Sequence, residues 1–266
     1  MLTIIRGAGD LASGIALRLY RSGFSVVMTD LERPLAIRRS VAFCEAIRLG
    51  SVTVEGVTAQ FADVEAVPAL LAQGVIPVLA DPEGRCIETL RPQVVVDAIL
   101  AKRNLGTRIT DAQVVIGIGP GFTAGVDCHA VVESMRGHTL GRAIYTGSAL
   151  PNTNIPGLIG GFAGERVLRA PADGVFHAVR SIGDRVCVGE SVGHVAGAPM
   201  VCTIDGVLRG LIADGTQVHR GMKAGDVDPR GDASYCGLVS DKALAIGGGV
   251  LEAILHFHNM EGKPWM

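Results

Sequence analysis

Short apolar runs recur through the first part of the chain, at residues 2–5, 24–28, 75–80, 94–96 and 114–118, and each ends near a glycine or an aspartate. Runs this short, bounded by turn residues and rich in Val and Ile, predict buried strands. Between the first two, Leu11, Ile15 and Leu19 recur at helical spacing and Gly23 follows the last turn, which predicts a helix with a glycine stop. Residues 35–49 predict a second helix ending at Gly50, with Arg38, Arg39 and Arg48 on its solvated face. Residues 126–135 predict a third, placing Cys128 and His129 in its first turn, and 141–147 predict a strand. Strands alternating with helices imply an α/β architecture with a Rossmann-like parallel sheet.

Pro151, Pro156, Gly157, Gly160, Gly161 and Gly164 form the most loop-like stretch of the chain and mark a boundary, so residues 1–164 are expected to form the first domain. Beyond it lies an internal repeat. A shift of 32 positions superimposes Asp173-Gly-Val175 on Asp205-Gly-Val207, Gly183 on Gly215, Val186 on Val218, Gly189 on Gly221 and Gly193 on Gly225. Each copy has the pattern of the half-motif in biotinyl and lipoyl carriers, which predicts a β-rich biotinyl/lipoyl-like barrel-sandwich over 165–230. The segment joining the copies, Val195-Ala-Gly-Ala-Pro-Met-Val-Cys202, lacks the lysine that a swinging arm requires, so neither lipoate nor biotin is expected. Residues 231–266 predict a C-terminal helical segment that packs back on the first domain. Its start is capped by Ser240 or Asp241, and Gly247, Gly248 and Gly249 suggest close approach to another backbone.

The candidate chemistry lies where the strands stop. Gly7-x-Gly9 joins the first strand to the first helix: Gly7 permits a sharp turn, Gly9 admits an anion to the backbone, and the helix offers free N–H groups to a phosphate. Asp30, about twenty residues on, suits a ribose hydroxyl. Arg6, Asp10 and Gly14 complete this group. Asp97 closes a later strand and is followed by the polar cluster Lys102, Arg103 and Asn104, which could hold a phosphate or carboxylate. Gly117, Gly119 and Gly121 form a second loop in which Pro120 removes one donor, so it does not duplicate the first. These thirteen residues are the candidate cofactor-binding set, with a nucleotide such as NAD among the candidate ligands. No metal site and no catalytic residue is indicated.

Composition narrows the choices. The chain has 266 residues, 48% hydrophobic but only 4% aromatic, so its core is built from aliphatic side chains. A formal net charge of -2 provides no general attraction to nucleic acid or an anionic membrane. Six scattered cysteines without a Cys-x-x-Cys pair, and no leader before the first strand, lead to the expectation of a cytoplasmic, reduced protein. No apolar run approaches the roughly 20 residues that span a bilayer.

Several longer blocks carry a resemblance: Arg6-Gly-Ala-Gly-Asp-Leu-Ala-Ser-Gly14, Ala101-Lys-Arg-Asn-Leu-Gly-Thr107, Gly119-Pro-Gly-Phe-Thr-Ala-Gly125, Asn152-Thr153, Arg166-Val-Leu-Arg-Ala-Pro-Ala-Asp-Gly174 and Ser240-Asp-Lys-Ala-Leu-Ala-Ile-Gly-Gly-Gly-Val-Leu-Glu-Ala253. Together they resemble the YqeB family, assigned to maturation of selenium-dependent molybdenum hydroxylases. The first domain is more loosely similar to accessory factors that load molybdenum cofactor into xanthine dehydrogenase. The resemblance implies a maturation factor that binds or delivers a molybdopterin-type cofactor, with a molybdenum hydroxylase as partner and a homo-oligomer left open. Cys128 and Cys236 become candidate sulfur or selenium acceptors. Two other functions remain: an enzyme using NAD or another nucleotide to modify the cofactor, and a scaffold that docks the target hydroxylase.

Overall fold

The computed structural model describes residues 1–153 and 155–260, the last of these by its backbone alone. The end of the C-terminal segment, 261–266, lies outside the described residues. Two compact units divide the chain: the first comprises residues 1–34, 43–152 and 239–266, the second residues 35–42 and 153–238.

In the first unit β1 (Leu2–Arg6) runs through Gly7 into α1 (Asp10–Arg21), and β2 (Ser25–Thr29) returns parallel to β1. Then come α2 (Glu45–Leu49), β3 (Ser51–Val54), β4 (Val57–Phe61), α3 (Val67–Ala72), β5 (Ile76–Leu79), α4 (Cys86–Leu90), β6 (Val94–Asp97), β7 (Val114–Ile118), β8 (Ala130–Val132) and β9 (Ala143–Ile144). All nine strands form one sheet, in the order β3-β4-β5-β2-β1-β6-β7-β8-β9. The seven from β4 to β8 are mutually parallel, while β3 pairs antiparallel with β4 and β9 with β8. The central strands are apolar on both faces because both faces are covered: Ile4, Ile5, Val27, Val95, Val96, Val115 and Ile116 are all fully buried.

The C-terminal helix α5 (Asp241–Met260) belongs to this unit and packs along α1. Its glycines permit the approach. A methyl group at Gly14 would stand 2.5 Å from Cβ of Ala243, one at Gly247 3.1 Å from the Gly14 carbonyl oxygen, and one at Gly249 would overlap the carbonyl oxygen of Gly141. Gly248 has nothing within 4 Å on its open side. Opposite effects are therefore expected from adjacent alanines. Gly248→Ala should gain up to about 1 kcal/mol of helix propensity, whereas Gly249→Ala should lose about 1–3 kcal/mol to overpacking. Urea denaturation of both variants measures the difference, and equal shifts would remove the packing explanation.

The second unit contains β10 (Val167–Arg169), β11 (Gly174–Ala178), β12 (Arg185–Val186), β13 (Ser191–Val195), β14 (Ala198–Val201), β15 (Gly206–Leu211), β16 (Gln217–Val218) and β17 (Lys223–Asp228). They form two four-stranded antiparallel sheets, β10-β17-β15-β12 and β14-β13-β11-β16. Phe176, Val192 and Val195 share one core with Leu208, Leu211 and Val227. The 32-residue repeat is visible here, since β11, β12 and β13 recur as β15, β16 and β17. The copies exchange their short strands: β11 pairs with β16, Gly174 opposite Val218, and β15 with β12, Gly206 opposite Val186. The hairpin between the copies turns at Ala196 and Gly197, both at positive φ (49° and 81°), as a two-residue turn that follows strand twist demands.

A ladder of ion pairs runs through this unit. Arg166 pairs with Asp226 Oδ1, and Arg209 reaches Asp226 Oδ2 through Nε at 2.8 Å and Asp228 Oδ2 through Nη1 at 2.9 Å. Arg230 closes it with Nη2 2.6 Å from Asp228 Oδ2, its guanidinium lying 4.4 Å from the centre of the Tyr235 ring. Asp226 and Asp228 are essentially inaccessible.

Several expectations are corrected. The first sheet is not a Rossmann-like parallel sheet but a mixed one, closed at both edges by antiparallel pairs, and helix accounts for only 22% of the described residues. Most crossovers are loops and helices of five or six residues, where frequent glycine and proline stop the helical pattern. The second unit is two antiparallel sheets, not a barrel. Residues 35–49 form no continuous helix: 35–42 join the second unit, and only Glu45–Leu49 is α-helical. Arg38 and Arg39 lie on no solvated helix face, since Arg38 donates to the carbonyls of Tyr235 and Leu238 at 3.0 Å and Arg39 to that of Leu211 at 2.8 Å. Residues 126–135 hold β8 instead of a helix. Among the described residues, no helix is long and apolar enough to cross a membrane.

Candidate functional site

Parallel register brings the strand ends of the first unit into one row. Leu79 lies beside Thr29, Thr29 beside Arg6, Arg6 beside Asp97 and Asp97 beside Gly117. The loops that leave this row hold nearly all the residues singled out from the sequence, and carboxyl ends of parallel strands are where open sheets bind ligands.

The turn after β1 is tightly specified. Gly7 has φ +99°, its N–H donates to the Thr29 carbonyl at 2.8 Å, and a methyl group on it would stand 2.7 Å from the Ala98 carbonyl oxygen. Gly7 therefore serves backbone geometry. Gly9 differs: its conformation is open to any residue (φ -68°, ψ -178°), nothing lies within 4 Å of where a side chain would start, and no side chain caps the twelve-residue helix that begins beside it. The N–H groups of a first helical turn have no partner within the helix. They lie at the positive end of the helix dipole.

Asp30 stands across the turn. Its Oδ2 accepts the Ala8 N–H and its Oδ1 the Leu31 N–H, both at 2.8 Å. Burial pushes its pKa up, and these two donors offset that only in part. Behind it the Cys44 N–H donates to the Ala8 carbonyl at 2.9 Å, and burial together with Asp30, Glu45 and Asp10 pushes the Cys44 thiol far up. The locus thus combines a helix N-terminus with neighbouring carboxylates. It suits a ligand with a phosphate at one end and N–H or O–H donors at the other. Gly14 has a different role, set by its contact with Ala243.

Arg6 and Asp97 face inward, 3% and 2% exposed, with nitrogen and oxygen 3.6 Å apart. Thr107 bridges them: its hydroxyl accepts from Arg6 Nη1 at 2.5 Å and donates to Asp97 Oδ2 at 2.6 Å. Arg6 also donates to the carbonyl of Pro82 at 3.2 Å. Burial pushes the Asp97 pKa up in spite of Thr107, the Ile99 N–H and Arg6. Desolvation outweighs a charge partner held at this distance.

The cluster after β6 divides. Asn104 is committed to its own turn, accepting the N–H groups of Gly106 and Thr107 and donating to the Thr107 carbonyl at 2.7 Å. Lys102 (φ 62°) and Arg103 are exposed. The second glycine loop is crowded by protein: side chains at Gly117, Gly119 and Gly121 would collide with Phe122, the Ser134 hydroxyl and the Arg103 backbone respectively. The structure therefore gathers the turn residues and Asp30 around open space and places Arg6, Asp97 and the second loop in the supporting interior. Thr107 and Asp81, whose Oδ2 accepts the Cys86 N–H at 2.8 Å, are supports that sequence reasoning missed or left general.

The candidate thiols are poorly suited to attack. Burial raises the Cys128 pKa to about 11 and also raises that of Cys236, so both remain thiols near neutrality. His129 accepts the Val115 N–H on Nδ1 at 3.0 Å and is lowered by burial, which together make it a neutral packing residue against Phe257. A shallow groove of about 550 Å³ lies elsewhere on this unit, against α5, where the Tyr145 and His256 rings lie 4.2 Å apart, inclined by 30°. None of the sequence-derived site residues lines it.

The chain is 51% identical over 255 residues to the uncharacterized protein YqeB of Escherichia coli K12, a match covering 96% of this chain and 47% of that protein. This chain is a homologue of YqeB. It spans about half the length of that relative, so a YqeB relationship alone says nothing of the remainder. No family model matches. A succinylglutamate desuccinylase/aspartoacylase from Rhodobacter sphaeroides superimposes over 85% of this chain and 84% of its own, at 13% identity and a TM-score of 0.26. That level of likeness carries no argument about fold or chemistry. The YqeB relationship is therefore the comparison that bears on this chain.

Proposed function

We propose that this chain is a cytoplasmic maturation factor that holds a molybdopterin-type cofactor for a selenium-dependent molybdenum hydroxylase. The observation that carries the reading is the open face of Gly9 at the uncapped start of α1, with Asp30 fixed across the turn. The groups present fit such a ligand: the helix N-terminus meets phosphate, and the Asp30 carboxylate has lone pairs left for the amino and hydroxyl donors of a pterin or ribose. Both Asp30 oxygens already hold backbone N–H groups, an arrangement that orients a ligand more than it exchanges protons. This favours holding over turnover. The six free thiols suit a reducing compartment, and the blocks shared with the YqeB family supply the molybdenum and selenium context.

The test is a thermal-shift series with isolated molybdopterin cofactor, NAD(H), NADP(H), ATP and CTP. A ligand that binds only the folded chain stabilises it by about 2.7 kcal/mol at a hundred times its Kd. The cofactor is expected to raise the melting temperature, and Gly9→Val to abolish the rise while the unliganded chain stays folded, losing about 0.5–2 kcal/mol with its glycine N-cap. A shift with NAD alone would replace this reading by a nucleotide-dependent enzyme. An undiminished shift in Gly9→Val would remove the site.

A further inference from the structure

On the sheet β14-β13-β11-β16 two histidines stand directly opposite each other on neighbouring antiparallel strands, His177 on β11 and His194 on β13. Their rings are stacked, with centres 5.3 Å apart and planes inclined by 28°. His177 is half exposed, with its Nδ1 3.9 Å from Oδ1 of Asp214, and that carboxylate is itself anchored by the Ala178 N–H at 2.9 Å.

We propose that this pair is a binding site for a borderline divalent ion such as Zn²⁺ or Cu²⁺, with one nitrogen from each imidazole as ligand. The two strands hold the two histidine backbones opposite each other before any ion arrives, so only side-chain rotation is needed to bring the rings together. Imidazole suits zinc and copper, and copper binds such nitrogen sites more tightly. Asp214 adds direction. At 3.9 Å it does not yet bond Nδ1; closing by about 1 Å when the ring turns to an ion would orient the ring and leave Nε2 for the metal. Among the described residues no three ligating side chains already stand at metal-holding distance. The ion must therefore draw the two rings, that of His177 exposed and that of His194 partly buried, onto itself, at about 2.0–2.1 Å for zinc and nitrogen, and water completes its coordination.

Calorimetric titration of the full chain with Zn²⁺, and separately with Cu²⁺, tests the site against His177→Ala, His194→Ala and Asp214→Asn. Each histidine variant is expected to weaken the one-to-one event at least tenfold, and the double variant no more than either single one where binding is already lost. Asp214→Asn should weaken it by about tenfold, with copper binding tighter than zinc throughout. The positions are on the surface, so circular dichroism should show unchanged folding. Absence of binding by the original chain overturns the proposal, as does an affinity within twofold of the original in both single histidine variants.

Discussion

Asp226→Ala is expected to destabilise the chain by about 3–5 kcal/mol, the penalty for breaking a buried ion pair by removing one partner. Asp226 is 1% exposed and receives Arg166 on one oxygen and Arg209 on the other. Its loss leaves two guanidinium groups, each less than a tenth exposed, without their shared counterion. The fall in urea midpoint measures the loss, and a shift below 1 kcal/mol would show that water or neighbouring carbonyls substitute for the carboxylate. Asp228 gives the network its pH dependence. Burial alone would raise its pKa, but the hydrogen bonds from Arg230 and the charge of Arg209 overcome this and hold it below its usual value. A depressed carboxylate contributes stability above its unfolded pKa of about 3.9 and loses it as pH falls through the lower folded value. This contribution should vanish only in strong acid.

Arg6→Met is expected to cost a comparable amount, about 3–5 kcal/mol near neutrality, with the opposite pH trend. Without Arg6 the Asp97 carboxylate is left in the interior, and the Thr107 hydroxyl and Pro82 carbonyl each lose a donor. Asp97 already has a raised pKa, dominated by burial, and Arg6 is among the groups holding it down. In the variant it rises further. A group raised on folding contributes most below its unfolded pKa and loses that contribution as pH rises through the folded one. The penalty of Arg6→Met should therefore shrink as the solution is acidified toward the usual carboxylate range and the carboxyl takes up a proton. Adding Asp97→Leu should recover much of the loss at neutral pH, since removing both partners of a buried pair is often close to neutral. A pH-independent penalty, or a double variant no better than the single one, would contradict the pairing.

Much of the first unit's strand pattern was legible because continuous apolar runs ending in glycine or aspartate leave few alternatives. What could not be read was the pairing direction at the sheet edges. Ser51–Val54 and Ala143–Ile144 are short and half polar, and periodicity does not distinguish parallel from antiparallel neighbours. The helix expected over 35–49 failed for a related reason. Its apolar spacing is genuine, but Ile37 accepts a hydrogen bond from Leu211 and Arg38 serves carbonyls some two hundred positions away, partners that no local window contains. At the candidate site, glycine-rich loops looked alike in sequence. Only the surroundings separate Gly9, which faces open space, from Gly7, Gly119 and Gly121, which are filled by the protein itself. The ladder of Arg166, Asp226, Arg209, Asp228 and Arg230 gave no sequence signal, because charged residues in and beside strands look like solvated surface until tertiary packing covers them.

The reciprocal pairing of β11 with β16 and of β15 with β12 bears on the ancestry of the second unit. A single copy of the 32-residue segment cannot complete either ladder, because the strand it needs lies in the other copy. Cut free, it would satisfy its edges only by pairing with an identical molecule, each lending a short strand to the other. Such an arrangement is a strand-swapped homodimer, and joining the two chains end to end converts it into one polypeptide with its pairing unchanged. The two halves could then diverge independently, which is how one copy can carry the buried arginine ladder while the other presents a pair of surface imidazoles.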